Sequence, residues 1–488
     1  MSVRNRIAWI ALCLSALPFG LYTYNSGYGY DQLEYLIIGR SLVEGYALYD
    51  FVPSKSPGIY LLVASLFKAG LTLGHVELAA VISAVYLLLV AGTFVVAQRI
   101  WDVSTAAVAA VLVAACVWFM ELNFLQPTGF VYLLGLLGYY ACVRTHDTPR
   151  APFGWFACGA AIAVGLQFKS VAAFYGVAAI LLVLRRPVAG ALRDAAALVL
   201  GAAVPSVLAL LCVWAAGHVH DYWEWTLYFP LFKYPASTVY LPKLYTKLLF
   251  FAVIFSSATL GSLLPRYRRA IWGDFATRAA FVFGAVSLLA LLKTQSSHYC
   301  FPGAAFLCLF SARVAVRAFS GTAASKHALL LVTGGVAALA LMLVSAWLYR
   351  PQALARLTTI RAFDEERAFV DYVQRHSAPA RPVLVVDNGV LAYWVSHRYP
   401  NLPLLHTDVQ TTYYLQVHRD ALLAALRDPR LQLVEFNPEG PAFDDPNFLE
   451  TSVLRDQIAR FRGDLERNFR RDPSSPAGYT FWIRSPRP

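Results

Sequence analysis

Apolar residues run in long, nearly uninterrupted blocks through the first 350 positions and then give way to shorter, mixed patterns. Blocks at 7–24, 77–98, 104–120, 126–143, 153–168, 170–185, 193–216, 244–264, 275–292, 298–318 and 327–348 are judged against the roughly 20 residues that an α-helix needs to cross a bilayer. Several are short, so the pattern predicts a polytopic α-helical membrane protein with about eleven to thirteen transmembrane helices. The run 153–185 is divided at Gln167-Phe168-Lys169, because a single helix there would be about 50 Å long. Residues 57–73 combine an apolar run with Lys68, Gly58, Gly70 and Gly74, and are expected to lie in the interface rather than to span.

After Tyr349 the rhythm is that of a small α/β domain. Helices are predicted over 361–376, 411–427 and 447–468, and strands over Val383–Asp387, Leu431–Phe436 and Tyr479–Ile483. The expected organisation is therefore a membrane domain over 1–350, with a first external loop at 25–76 and an aromatic external loop at 217–243. A soluble extracytoplasmic domain follows over 351–488. Asp387-Asn388-Gly389 sits at a strand end, where α/β folds often bind ligands, yet no glycine-rich phosphate turn precedes it. Covering the external mouth and recognising a partner is the expected role of this domain. No internal repeat links the two halves of the membrane part, which counts against many secondary transporters.

Composition supports the membrane reading. The chain has 488 residues, 58% of them hydrophobic and only 14% charged, too apolar for an ordinary soluble globule. Its net charge of +12 is held in small clusters between apolar blocks, the pattern that orients spans rather than one that binds nucleic acid. With the N-terminus, carrying Arg4 and Arg6, placed in the cytoplasm, alternation puts five basic clusters inside. They are Arg99; Arg144 and Arg150; Arg185, Arg186 and Arg193; Arg266, Arg268 and Arg269; and Arg313, Arg317 and Lys326. The expected location is the cytoplasmic (inner) membrane, with the C-terminal domain in the periplasm or its equivalent. The seven cysteines lie in or at the ends of apolar blocks, without disulfide or metal-ligand spacing. His218-x-His220-Asp221 lacks a third strong ligand nearby and is read as loop polarity.

The same threading places Asp31, Glu34, Lys55, Glu121, Lys169, Lys293 and His298 at loops or span ends on the extracytoplasmic side. Ionisable groups at membrane depth are costly and commonly mark a pathway or a reacting site; singly, each also fits an interfacial anchor. Asp31 and Glu34, three apart, share a helical face. A carboxylate beside a lipid-accessible mouth can deprotonate an acceptor hydroxyl or amine, while cations such as Lys55 and Lys169 neutralise a departing phosphate. In a bilayer, a sugar on a polyprenyl phosphate presents such a leaving group. Attack opposite the phosphate predicts inversion at the anomeric carbon.

These residues also carry a resemblance. Asp31 in an aromatic setting after the first span, GYALYD from Gly45, KSPGIYLLVA from Lys55, Glu121 between the third and fourth spans, GLQFK ending in Lys169, and KTQSSHYCFPG around His298 form an ordered set over residues 1–350. Together they resemble the membrane-embedded C-type (GT-C) glycosyltransferases that use lipid-phosphate sugars, in particular the protein O-mannosyltransferases and the lipid A aminoarabinose transferases. The resemblance implies a catalytic or acceptor-orienting role for Asp31 and a second acidic position at Glu121. It also implies that Lys55, Lys169 and the His298-Tyr299 pair bind the donor phosphate. Many relatives carry Asp-Glu where this chain has Asp31-Gln32, which leaves open whether Glu34 takes the second carboxylate's role. The turn reads Lys-Ser-Pro rather than Lys-Pro-Pro, and no Asp-x-Asp is evident, so no obligatory divalent metal is expected.

The sequence thus points to a glycosyltransferase moving a sugar from a polyprenyl-phosphate donor to a lipid, glycan or protein acceptor outside the membrane. Membrane lipids are its surroundings, and nucleic acid is not expected as a partner. The competing classes are a transporter or flippase for a lipid-linked or anionic substrate, and an inert scaffold or sensor that binds partners through 351–488.

Overall fold

The computed structural model describes residues 3–53, 55–120, 122–233, 255, 258–292, 297–319, 363–378, 381–386, 390–405, 409–437, 452–476 and 479–485. Among the described residues, nine α-helices cover most of the first 215 positions. They are α1 (Val3–Ser26), α2 (Tyr30–Val43), α3 (Pro57–Lys68), α4 (His75–Ile100), α5 (Val103–Phe119), α6 (Pro127–Thr145), α7 (Ala151–Leu166), α8 (Ala173–Val183) and α9 (Val188–Ala215). A π-helical stretch, Trp223–Lys233, is followed by α10 (Pro265–Trp272), α11 (Phe275–Ser287) and α12 (Ser297–Phe319). The C-terminal part contributes α13 (Asp364–His376), β1 (Val383–Val385), α14 (Val390–Ser396), α15 (Val409–Val417), α16 (Ala421–Arg427) and β2 (Leu433–Glu435). Helix α17 (Ser452–Asn468) and strands β3 (Phe469–Arg471) and β4 (Phe481–Arg484) complete it.

Local chemistry sets many of these boundaries. Proline occupies the first turn of α3, α6, α7 and α10, where its missing N–H costs nothing. Asp102 caps α5 by accepting from the Thr105 N–H, and Asp274 caps α11 by accepting from the Ala276 N–H. The apolar run expected to divide at Gln167-Phe168-Lys169 does so: α7 ends at Leu166, and a 3₁₀ turn begins at Ser170. Three helices among the described residues, His75–Ile100, Val188–Ala215 and His298–Arg317, are long and apolar enough to cross a membrane. Five shorter apolar helices accompany them. Most of 244–264 and all of 327–348 lie outside the described residues.

The chain forms two compact units. The first takes Met1–Gly27, Gly74–Gly217 and Ala236–Ile360. Within it α12 is central, packed on α5, α6 and α11; 89% of its apolar stretch is buried, against 11% for α9. Phe306 of α12 is a ring hub, 5.5 Å from Tyr132 and Tyr139, 5.3 Å from Tyr175 and 5.2 Å from Phe283, the edge-to-face range in which aromatic pairs gain beyond area burial. On the other side of α6, α7 packs against α9 so tightly that a Cβ at Gly159 would stand 2.0 Å from the Leu198 carbonyl oxygen. A Cβ at Gly201 would stand 2.0 Å from that of Phe156. Small residues of this kind let membrane helices meet backbone to backbone.

The second unit gathers Tyr28–Leu73, His218–Pro235 and Arg361–Pro488. Its sheet has the order β1-β2-β4-β3; β1 and β2 are parallel, and β4 is antiparallel to both its neighbours. Leu384, Val434, Phe461, Leu465, Phe469 and Trp482 anchor the core, with α16 and α17 contributing to it. The first loop joins this unit through the Val52 N–H, which donates to the Pro403 carbonyl at 2.7 Å. The π-helical stretch joins through the Tyr413 hydroxyl, 3.0 Å from Glu224. Three sequence expectations change here. The helix expected over 411–427 is two, α15 and α16, interrupted by the turn at His418–Asp420; α14 and β3, each too short to show a period, were not anticipated.

Candidate active site

The residues singled out by the sequence fall into two groups, one in each unit. In the second unit, α2 begins with its Gly29 N–H donating to Gln32 Oε1 at 3.1 Å, the reciprocal half of a capping box. Gln32 is fully buried in that task, so position 32 serves the helix start. Asp31 stands in the first turn, where the helix dipole favours a carboxylate. Its Oδ2 is 3.4 Å from Lys55 Nζ, with side chains 30% and 12% exposed.

Lys55 reaches Asp31 because the chain turns back between Phe51 and Pro57 to start α3. Its N–H donates to the Tyr60 hydroxyl at 3.0 Å, and that hydroxyl donates to Glu34 Oε1. Gly39 admits α3 against α2: a Cβ there would fall 2.4 Å from Val63 Cγ1. Asp31 and Glu34 therefore sit one turn apart on α2 in different surroundings. Asp31 is partly open and ion-paired, whereas Glu34 is fully buried and linked through Tyr60 to the lysine turn.

Arg40, two and a half turns along α2, closes on the end of α14. Its guanidinium donates to the carbonyls of Trp394 (3.3 Å) and Tyr393 (3.2 Å) and to the Tyr399 hydroxyl (3.2 Å), and lies 2.9 Å from His397 Nδ1. It also lies over the Trp394 and Tyr399 rings. His397 has φ 53°, a left-handed conformation that few side chains adopt. Burial, and then the adjacent Arg40 charge, hold its imidazole below the usual histidine range. Nearby, burial pushes the Tyr28 hydroxyl up to about 12. Arg40 is a charge within YLIIGRSLV, which is the signal that sequence reasoning passed over; Tyr60 gave no signal among so many aromatics.

The second group lies in the first unit. Lys169 occupies the break after α7 in an extended conformation and is 4% exposed. Its Nζ stands 3.6 Å from the Tyr299 ring centroid, a cation–π contact of about 2 kcal/mol when desolvated. Tyr299 and His298 belong to the first turn of α12, with ring centroids 4.8 Å apart. Phe168 stacks on Phe130 at 5.1 Å and so helps fix the segment before Lys169. A buried ammonium beside the start of a 23-residue helix is a favourable setting for an anion.

Glu121 and Lys293 lie outside the described residues, as do Asp387-Asn388-Gly389. His218 Nδ1 pairs with Asp221 at 3.0 Å, and His220 Nε2 with Glu224 at 3.4 Å. Among the described residues, no group of three or more His, Cys, Asp or Glu gathers as a metal site would require.

Residues 55–215 match the family described as dolichyl-phosphate-mannose-protein mannosyltransferase, a stretch that contains Lys55, Glu121 and Lys169. The fold is similar to that of ArnT from Cupriavidus metallidurans. For the structure bound to undecaprenyl phosphate the TM-score is 0.62 at 16% identity, covering 98% of this chain and 99% of that one. For the apo state it is 0.63 at 14% identity, covering 99% and 100%. The oligosaccharyltransferase of Archaeoglobus fulgidus in its apo form is also similar, with a TM-score of 0.53 at 12% identity over 88% of this chain and 69% of that one. No curated protein matches the chain by sequence.

Proposed function

We propose that this chain, which carries the mannosyltransferase family match over 55–215 and the fold of the GT-C membrane transferases, is a polyprenyl-phosphate-sugar-dependent glycosyltransferase. The observation that carries the reading is Lys169, a buried ammonium resting on the neutral face of Tyr299 at 3.6 Å. The ring face helps hold the lysine at the start of α12, where a phosphate would be favoured.

In the proposed reaction an acceptor hydroxyl or amine attacks the anomeric carbon as the bond to the lipid phosphate breaks, giving inversion. Asp31 takes the acceptor's proton, and Lys55, 3.4 Å away, positions that carboxylate. Lys169, with His298 and Tyr299 around it, stabilises the phosphate that departs with the polyprenyl tail. Glu121 is the second acidic position. Glu34 holds the Lys55 turn through Tyr60. No obligatory metal enters, and the acceptor is a lipid, glycan or protein on the extracytoplasmic face.

The test is transfer from radiolabelled polyprenyl-phosphate sugars by the purified chain in liposomes, with the anomer of the product assigned by NMR. Inverted product, lost in Asp31→Asn while that variant still binds the lipid donor, supports the reading. Transport of a lipid-linked substrate without any transferred product would replace it with a flippase.

A further inference from the structure

At the end of α8 remote from Lys169, a cleft of about 270 Å³ opens among His146, Asp147, Arg185, Arg186, Phe275 and Arg278. Its walls come from the ends of α6 and α8 and the start of α11, all in the first unit. The His146 ring lies flat on Phe275, with centroids 3.5 Å apart and planes 4° apart. Arg186 is fixed by Asp194 and by the His146 carbonyl at 3.1 Å. Those contacts build the frame, and Asp194 neutralises Arg186.

Two charges remain. Among the described residues, no carboxylate forms an ion pair with Arg185 or Arg278. The carboxylate on the rim, Asp147, has a side chain 90% exposed and faces His146 at 3.5 Å. Directly beside the cleft, Leu184, Val188 and Leu192 are 68%, 77% and 69% exposed, on helices that a bilayer would surround. Two guanidiniums over an apolar belt can hold a phosphodiester while the belt holds its acyl chains.

We propose that this cleft is a binding site for the headgroup of an anionic phospholipid, distinct from the donor-phosphate group at the other end of α8. The lipid is a bound structural ligand of the bundle, tying α6, α8 and α11 together at their charged end. The inference rests on the membrane-spanning reading alone and not on the transfer chemistry. A failed transfer assay leaves it standing, and its own failure leaves the transferase standing.

The full-length chain in detergent is heated with mixed micelles of phosphatidylglycerol, with phosphatidylcholine, or with inorganic phosphate. Phosphatidylglycerol is expected to raise Tm by about 2–4 °C over phosphatidylcholine, on the scale expected for a ligand that binds only the native state of a large domain. The shift should vanish in R185Q/R278Q and persist in R144Q/R150Q, which removes equal charge from outside the cleft. An equal shift with phosphatidylcholine, the same shift with inorganic phosphate, or equal loss in both double variants overturns the proposal. Should R185Q/R278Q fail to fold, photoreactive phosphatidylglycerol on the native chain decides. Label on 182–187 and 275–278 supports the site, and label confined elsewhere refutes it.

Discussion

Asp31 and Glu34 are one helical turn apart, yet their surroundings differ, and the proposed reaction gives them different roles. Asp31 is partly open beside Lys55, whereas Glu34 is sealed against Tyr60. Asp31→Asn is therefore expected to lower the transfer rate by about 10²–10⁴-fold, the usual contribution of a general base, with donor affinity unchanged. Tyr60→Phe removes the hydroxyl that joins Glu34 to the Lys55 N–H. It should act mainly on the placement of the turn, raising KM for the acceptor more than it lowers kcat, as steady-state kinetics will show. Asp31, Lys55, Lys169 and His298 were legible because each is an ionisable group in an apolar setting. Tyr60 and Gln32 were not, because a hydrogen bond made by one aromatic or one amide among many leaves no mark on the pattern.

Helices were the easiest elements to read, since a long apolar block can satisfy its backbone in a bilayer in few other ways. What the blocks do not disclose is which helices touch. The α7–α9 crossing depends on Gly159 and Gly201, each facing a backbone carbonyl that cannot rotate away. Gly159→Ala should destabilise the first unit by about 1–3 kcal/mol, the usual cost of overpacking, measurable as a lower Tm in detergent. Gly190, with nothing within 4 Å of its would-be Cβ, is the control and should tolerate alanine. In the C-terminal part β1, β2 and β4 were found, but β3 and the order of the sheet were not. The antiparallel insertion of β4 between β2 and β3 depends on pairings between distant segments. Strands of three and four residues have no period long enough to reveal them.

At the scale of the molecule, composition divides the chain once, near position 350, whereas the second compact unit collects three separate segments. Among the described residues, Arg40 links the first segment to the last through Tyr393, Trp394, His397 and Tyr399, and the His397 imidazole titrates. Because His397 is held below its ordinary range, its neutral form contributes stability that is complete above about pH 6.5. That contribution is lost as the pH falls from there toward the depressed value. The acid limb of unfolding of the full chain should accordingly flatten in His397→Gln. Arg40→Ala leaves the Tyr393 and Trp394 carbonyls without their donor, at a cost of about 1–3 kcal/mol. It should release α2, seen as faster hydrogen exchange across residues 30–43, and transfer should fall although Arg40 touches no reacting group.

The clasp also has an order in time. Arg40 is made early, and the carbonyls that receive it follow 353 and 354 positions later, after all of the apolar blocks have left the ribosome. A nascent or truncated copy can thus be fully inserted and yet lack the lock on the helix that carries Asp31. On the proposed function, a copy cut before residue 393 is expected to transfer sugar no better than Arg40→Ala.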